Sequence, residues 1–101
     1  MKVNLNVPIR DFFGKPIIEN EKTKKEVNMA EQIGVILFGL GQNLEQSEMV
    51  TAYGIARKLQ RDPSDVLLSS EEITFLKEKL SKVLTAGCYG QVYDILEQND
   101  K

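Results

Sequence analysis

Apolar and polar residues alternate with a period of two near the start of the chain, Val3-Asn4-Leu5-Asn6-Val7-Pro8. That period predicts a half-buried strand with Val3, Leu5 and Val7 on one face. Pro8 donates no ladder hydrogen bond and suits a strand end or an edge. Asp11 and Gly14 are turn residues, and Pro16 stiffens the return into Ile17-Ile18. Segments 2–7 and 16–18 therefore read as the arms of a β-hairpin, or at least of a loose β-ribbon. Such a ribbon is marginal alone and must pack on something else.

Residues 19–26 are polar with mixed charge and read as a solvated connector. Thr23, with Glu26 three residues later, has the form of a capping box, which predicts a helix over 23–41. Val27, Ala30, Ile33, Leu37 and Leu40 recur at helical spacing, and Val35, Ile36 and Phe38 extend the apolar surface almost all the way round. A helix end of that kind is either central in the fold or buried in a partner. Gly34 and Gly39 lack side chains, which suits close helix packing, and Gly41 with Asn43 gives a C-terminal stop.

A second helix is expected over 47–60, capped by Ser47. Met49, Ala52, Ala56 and Leu59 form its stripe, flanked by Tyr53 and Ile55, with Arg57, Lys58 and Arg61 outside. Asp62-Pro63-Ser64-Asp65 breaks the chain, and Val66-Leu67-Leu68 is a short apolar link. Ser69-Ser70-Glu71-Glu72 then supplies a cap and two acids at the positive helix end. The third helix is expected over 70–85, with Ile73, Leu76, Leu80, Val83 and Leu84 inward. Ala86-Gly87-Cys88 reads as a break, and a last helix spans 89–98 with Tyr89, Val92, Tyr93 and Leu96 inward. The tail 99–101 should fray. The fold class is α+β and mainly helical: a β-ribbon over 1–18 packed on about four short helices, in a single domain over 1–101.

Composition narrows the chemistry more than the fold. The chain has 101 residues, 42% hydrophobic and 28% charged, close to the globular average and unlike a disordered chain. Thirteen basic and fifteen acidic side chains give a net charge of −2, which offers no bulk attraction for nucleic acid or an anionic membrane. There is no His, so no Ser-His-Asp triad, no Cys-His pair and no histidine metal ligand. A lone Cys88 forms neither an internal disulfide nor a cysteine-rich zinc site, which suits a reducing cytoplasm. Nothing in 1–8 resembles a signal peptide. The longest apolar run, 33–41, is far shorter than the ~20 residues of a membrane span.

The order of signals resembles a family of small proteins encoded by tailed bacteriophages and prophages. The likeness rests on the D-x-x-G-K-P-I turn, here Asp11-Phe12-Phe13-Gly14-Lys15-Pro16-Ile17, and on an Ala/Leu-rich helix followed by a Lys/Arg- and Ala-rich one. It continues through the Leu68-Ser69-Ser70-Glu71-Glu72-Ile73 helix start and the Gln91-Val92-Tyr93-Asp94-Ile95-Leu96-Glu97 ending, so it covers nearly the whole chain. The loop at 87–90 departs from the family's proline-containing one. The resemblance implies a phage or prophage origin. It carries over no functional residues, because the family has no established activity.

Among candidate sites, Cys88 lacks a histidine base and reads as a small half-buried filler. Asp62, Asp65, Glu71 and Glu72 lack the spacing of a calcium loop and read as turn and cap residues. The sequence GVILFGLG, 34–41, is not a phosphate loop, because no Lys-Ser/Thr follows it. Arg57, Lys58 and Arg61, with Tyr53 one turn earlier, form a basic patch able to meet a nucleic-acid backbone. Lys22, Lys24 and Lys25 form a second basic spot interrupted by Glu21 and Glu26. The strongest exposed candidates are Phe12 and Phe13, since consecutive side chains of an extended segment point to opposite faces. One ring is expected to pack inward and the other to anchor a partner. With Phe38 they suggest a surface that seeks another protein, the alternative being that all three rings serve one core.

The expected function is therefore that of a non-enzymatic phage accessory protein, without cofactor or metal. It would contact a phage or host protein, in virion assembly or in modulation of a host factor. The alternative is a small nucleic-acid-binding regulator using Arg57, Lys58 and Arg61. Self-association into a homo-oligomer is expected, with pairing through the ribbon edge as one route. The expected location is the bacterial host cytoplasm or the virion.

Overall fold

The computed structural model describes residues 2–41 and 44–97. Its strands are β1 (Lys2–Val3), β2 (Ile18–Asn20), β3 (Lys25–Glu26) and β4 (Val66–Leu67). Its helices are α1 (Met29–Gly39), α2 (Gln46–Arg61), α3 (Ser70–Leu80) and α4 (Ala86–Glu97). The α+β, mainly helical class is as expected, with four helices and two small antiparallel strand pairs.

The pairing of the strands differs from the expected ribbon. β1 lies antiparallel to β4, with Val3 opposite Val66, and β2 pairs with β3. The arms that meet across the first turn are shorter, with Arg10 bridging Pro16 and Ile17 N–H donating to the Ile9 carbonyl at 2.9 Å. Of the expected face, Val3 and Leu5 are buried and Val7 is half-buried, and the alternation runs on to a buried Ile9. Leu5 and Val7 also close the start of α1, because their carbonyls accept from Ala30 and Met29 N–H at 3.0 and 2.8 Å. These are the donors that a helix leaves unpaired at its first turn. A fold built this way fixes 3–9 across the helices rather than as one arm of a hairpin.

The first helix begins six residues later than expected. Thr23 and Glu26 do not cap it. The polar stretch instead turns back on itself, with Asn20 Oδ1 accepting from Lys22 N–H at 2.9 Å and Lys24 at a φ of 57°. The cap is Asn28, whose Oδ1 accepts from Glu31 N–H at 3.1 Å. α2 starts at Gln46, and its cap is Glu45, two residues before the expected Ser47. Glu48 there accepts from Glu45 N–H at 3.2 Å. α3 begins where expected, the cap being Ser69 of the two serines, with Glu72 completing a capping box, but it ends at Leu80, and 81–84 form a turn that leaves Val83 exposed. Ala86-Gly87-Cys88 is not a break but the first turn of α4, after Thr85. Glycine is a poor helix former, yet Tyr89 N–H reaches the Thr85 carbonyl at 2.8 Å, so the helix forms around it. Asn43, the end of the expected last helix at 98, and the tail 99–101 lie outside the described residues.

One core unites the elements. Ala30, Ile33 and Leu37 of α1 meet Ala52, Ile55, Ala56 and Leu59 of α2, joined by Leu5, Val66, Leu68, Leu76, Leu80, Val92 and Leu96. Burying the leucine, isoleucine and valine side chains contributes about 1.5–3 kcal/mol each before chain entropy is offset. Met49 and Tyr53, expected in or beside the α2 stripe, lie exposed. Two ion pairs tie α2 to α3. Lys58 Nζ meets both Glu72 oxygens at 2.7 and 2.9 Å, and Lys79 Nζ meets Glu48 at 2.7 Å. The hydrogen bond from Lys79 and that from Glu45 N–H hold the Glu48 carboxyl below its usual range. Lys77 and Glu97 pair between α3 and α4. No described helix is long and apolar enough to cross a membrane.

Candidate functional site: an apolar groove and an aromatic turn

The outward side of the α1–α2 pair is a groove of about 520 Å³. Its floor is small, made by Ala30 and Gly34 of α1 and Ala56 of α2. Val35 and Phe38 rise on one side and Leu59 lies between the helices. Val35 is 72% and Phe38 57% exposed. Its polar lining comes from Asn6, Lys25, Asn28, Glu31 and Gln60; Asn28 Nδ2 donates to Asn6 Oδ1 at 2.9 Å and Lys25 pairs with Glu31 at 3.5 Å.

Gly34 explains why the groove exists. Close packing of α1 against a neighbour was the expected reason for this glycine. In the structure a Cβ built there meets nothing within 4 Å. A mid-helix glycine costs roughly 0.5–1 kcal/mol relative to alanine. Here that cost deepens a surface groove and serves no contact within the fold.

The apolar surface continues past the groove. The Phe38 ring lies 5.7 Å from the Tyr53 ring, tilted by 39°, so the two helices share one exposed aromatic face. Val50 and Met49 extend it along α2. This continuity is what the all-round apolar end of the first helix signalled, and Phe38 is the expected residue within it. Val35 and Tyr53 were legible as apolar flanks but not as members of a site.

Phe12 and Phe13 stand elsewhere, on the turn between the ribbon arms. Neither packs inward: they are 96% and 82% exposed, with ring centroids 5.4 Å apart in an edge-on arrangement. The expectation that one ring joins the core is thus not met. The turn allows this because its backbone is not extended. Asp11 Oδ1 accepts from Phe13 and Lys15 N–H at 2.9 and 3.0 Å, an Asx turn. Gly14 adopts a φ of 83°, and its carbonyl accepts from Arg10 Nη1 at 2.9 Å. The base of the turn is clamped to α4, where the Gln91 amide accepts from Arg10 N–H at 2.9 Å and donates to its carbonyl at 2.8 Å. The structure therefore does not bring Phe12 and Phe13 together with Phe38; it makes two separate apolar features, one convex and one concave.

The basic trio is split. Lys58 is held inward by Glu72 and donates to the Leu67 carbonyl at 3.0 Å. Arg57 lies 5.7 Å from the Tyr53 ring centroid and donates to the Tyr53 hydroxyl at 3.3 Å. Arg57 and Arg61 are exposed, and among the described residues neither forms an ion pair. Two cations on one turn make a thin electrostatic footprint for a nucleic acid. Cys88 is half-buried, and desolvation pushes its thiol pKa up, away from a reactive thiolate. Asp62 serves its turn, accepting from Ser64 N–H at 3.2 Å, and Asp65 lies 3.9 Å from Lys2. Among the described residues no group of carboxylates or thiolate converges to hold a metal ion. No protein-family model, curated protein or solved structure matches this chain.

Proposed function

We propose that this chain is a non-enzymatic accessory protein of a tailed bacteriophage or prophage, acting by protein–protein contact in virion assembly or on a host factor. The observation that carries this reading is the open α1–α2 groove, with Val35 and Phe38 exposed over a floor of Ala30, Gly34 and Ala56. Apolar side chains that water must cover are unfavourable, and a contiguous patch of them marks a contact surface. Gly34, without a side chain, leaves room for a partner's apolar side chains or backbone to come close. The likeness of the Asp11–Ile17 turn and of the later helix signals to phage proteins supports the origin. The absence of histidine from the sequence leaves out imidazole-based acid–base chemistry, which fits this reading.

The test is site-specific photo-crosslinking in phage-producing cells. A crosslinker is placed at Val35 on the groove and, as a control, at Lys82 on the exposed turn after α3. A discrete adduct formed from position 35 and lost on Gly34→Leu supports the reading. Identical adducts from both positions, or none from position 35, overturn it.

A further inference from the structure

We infer that two copies of this chain exchange their Phe12–Phe13 turns, each seating its aromatic pair in the α1–α2 groove of the other. The inference rests on the reading of that groove as a contact surface and names its occupant as a second copy. Three observations meet here. The chain carries a rigid apolar projection with no internal partner, because both rings are almost wholly exposed. It also carries an apolar concavity of about 520 Å³ that is empty of side chains. None of 11–15 lines that concavity, and the turn is clamped to α4 through Gln91, so the projection does not fill its own groove.

Size and shape agree. A cavity of about 150 Å³ accepts one benzene ring. A groove of about 520 Å³ therefore has room for both rings. The pair is already ordered by the Asp11 and Gly14 hydrogen bonds, so seating it loses little conformational entropy.

Area decides between a one-way and a two-way exchange. Two phenylalanines bring roughly 150–250 Å² each, so one seating buries a few hundred Å² on the side of the rings. That is the scale of an incidental contact, below the roughly 1,200–2,000 Å² of a stable interface. Reciprocal seating doubles the area, to the scale of a weak, transient interface, and closes the pair about a two-fold axis, leaving neither projection free. A one-way exchange would leave a free knob and a free groove at the ends and propagate as a fibre.

Sedimentation velocity over a concentration series from about 1 μM to 1 mM tests this on the full chain, a span that covers weak to moderate self-affinities. Wild type is expected to pass from monomer to dimer without larger species. The Phe12→Ser/Phe13→Ser variant and the Gly34→Leu variant are each expected to weaken the dimer at least tenfold, with helical circular dichroism unchanged. A monomer across the series, a dimer that persists in either variant, or open-ended assembly overturns the inference. If wild type stays monomeric while the Val35 crosslink to another protein is still formed, the groove is a contact surface for a different partner and only the exchange is refuted. If that crosslink also fails, the reading of the groove itself falls.

Discussion

Replacing Gly34 by alanine should make this protein more stable. In most folds a buried mid-helix glycine is there because a Cβ would collide, and alanine is destabilising. Here the added Cβ meets nothing within 4 Å, and Gly34 is at ordinary negative φ in the middle of α1. What remains is the helix preference of alanine over glycine, about 0.5–1 kcal/mol, much of it from a less disordered unfolded chain. For a domain of this size that is a rise in Tm of roughly 2–8 °C. Gly14 supplies the internal contrast. Nothing crowds it either, but its φ of 83° is one that a side chain resists. Gly14→Ala should therefore lower stability by about 1 kcal/mol or more. Thermal and urea denaturation followed by circular dichroism read both. A loss of stability in Gly34→Ala would refute the reasoning, since it would mean that the space above Gly34 is filled within the fold and that no groove awaits an occupant.

Three further outcomes follow from the structure. Glu72 both accepts from Ser69 N–H and pairs with Lys58; burial works to raise its pKa, and these hydrogen bonds together outweigh it, so the carboxyl titrates below its usual value. Its contribution to stability is therefore complete above the ordinary value of 4.5 and is lost as pH falls through the lowered folded one. Glu72→Ala should cost about 1 kcal/mol at neutral pH and flatten that part of the acid-unfolding curve, as read by urea titrations at several pH values. Leu76, wholly buried on the inner face of α3, should cost about 2–5 kcal/mol when cut to alanine, a large share of a small domain's stability, measured by the urea midpoint. Cys88, half-buried with its thiol pKa raised, should react with iodoacetamide at neutral pH about tenfold more slowly than the unfolded chain; equal rates would show the thiol to be open to solvent.

What the sequence made legible divides along a physical line. Signals held within a few residues read well. The Ser69 cap with Glu72, the period of two through Val3 and Leu5, and the break at Pro63 all have their partners close along the chain. The first helix start shows the limit. Thr23 and Glu26 have the right spacing for a capping box, but the Leu5 and Val7 carbonyls offer paired acceptors to the donors of Ala30 and Met29. That tertiary pairing sets the start at Asn28 and leaves 18–26 to form a hairpin. The partner of β1 lies more than sixty residues away, at Val66–Leu67, and no local pattern announces it.

The site was legible only in part for the same reason. Phe12, Phe13 and Phe38 stood out as aromatic residues where the pattern had no room for them. Their exposure depends on turn geometry and on how α1 crosses α2, which periodicity does not encode. The glycine in the 34–41 run was visible, yet its meaning reversed once the space around it was known: an open groove takes the place of a packed contact. Arg57, Lys58 and Arg61 look alike in sequence, and one ion pair to Glu72 separates Lys58 from the other two.

The central claim is that the α1–α2 groove receives the aromatic turn of a second copy. Isotope-filtered nuclear Overhauser spectroscopy tests it most directly, in a concentrated sample mixed from carbon-13-labelled and unlabelled chains. Contacts from Phe12 and Phe13 ring protons of unlabelled copies to the Val35 methyl groups of labelled copies are the expected result. Methyl groups of the groove that show contacts only within their own chain, in a sample where dimer is present, would contradict it.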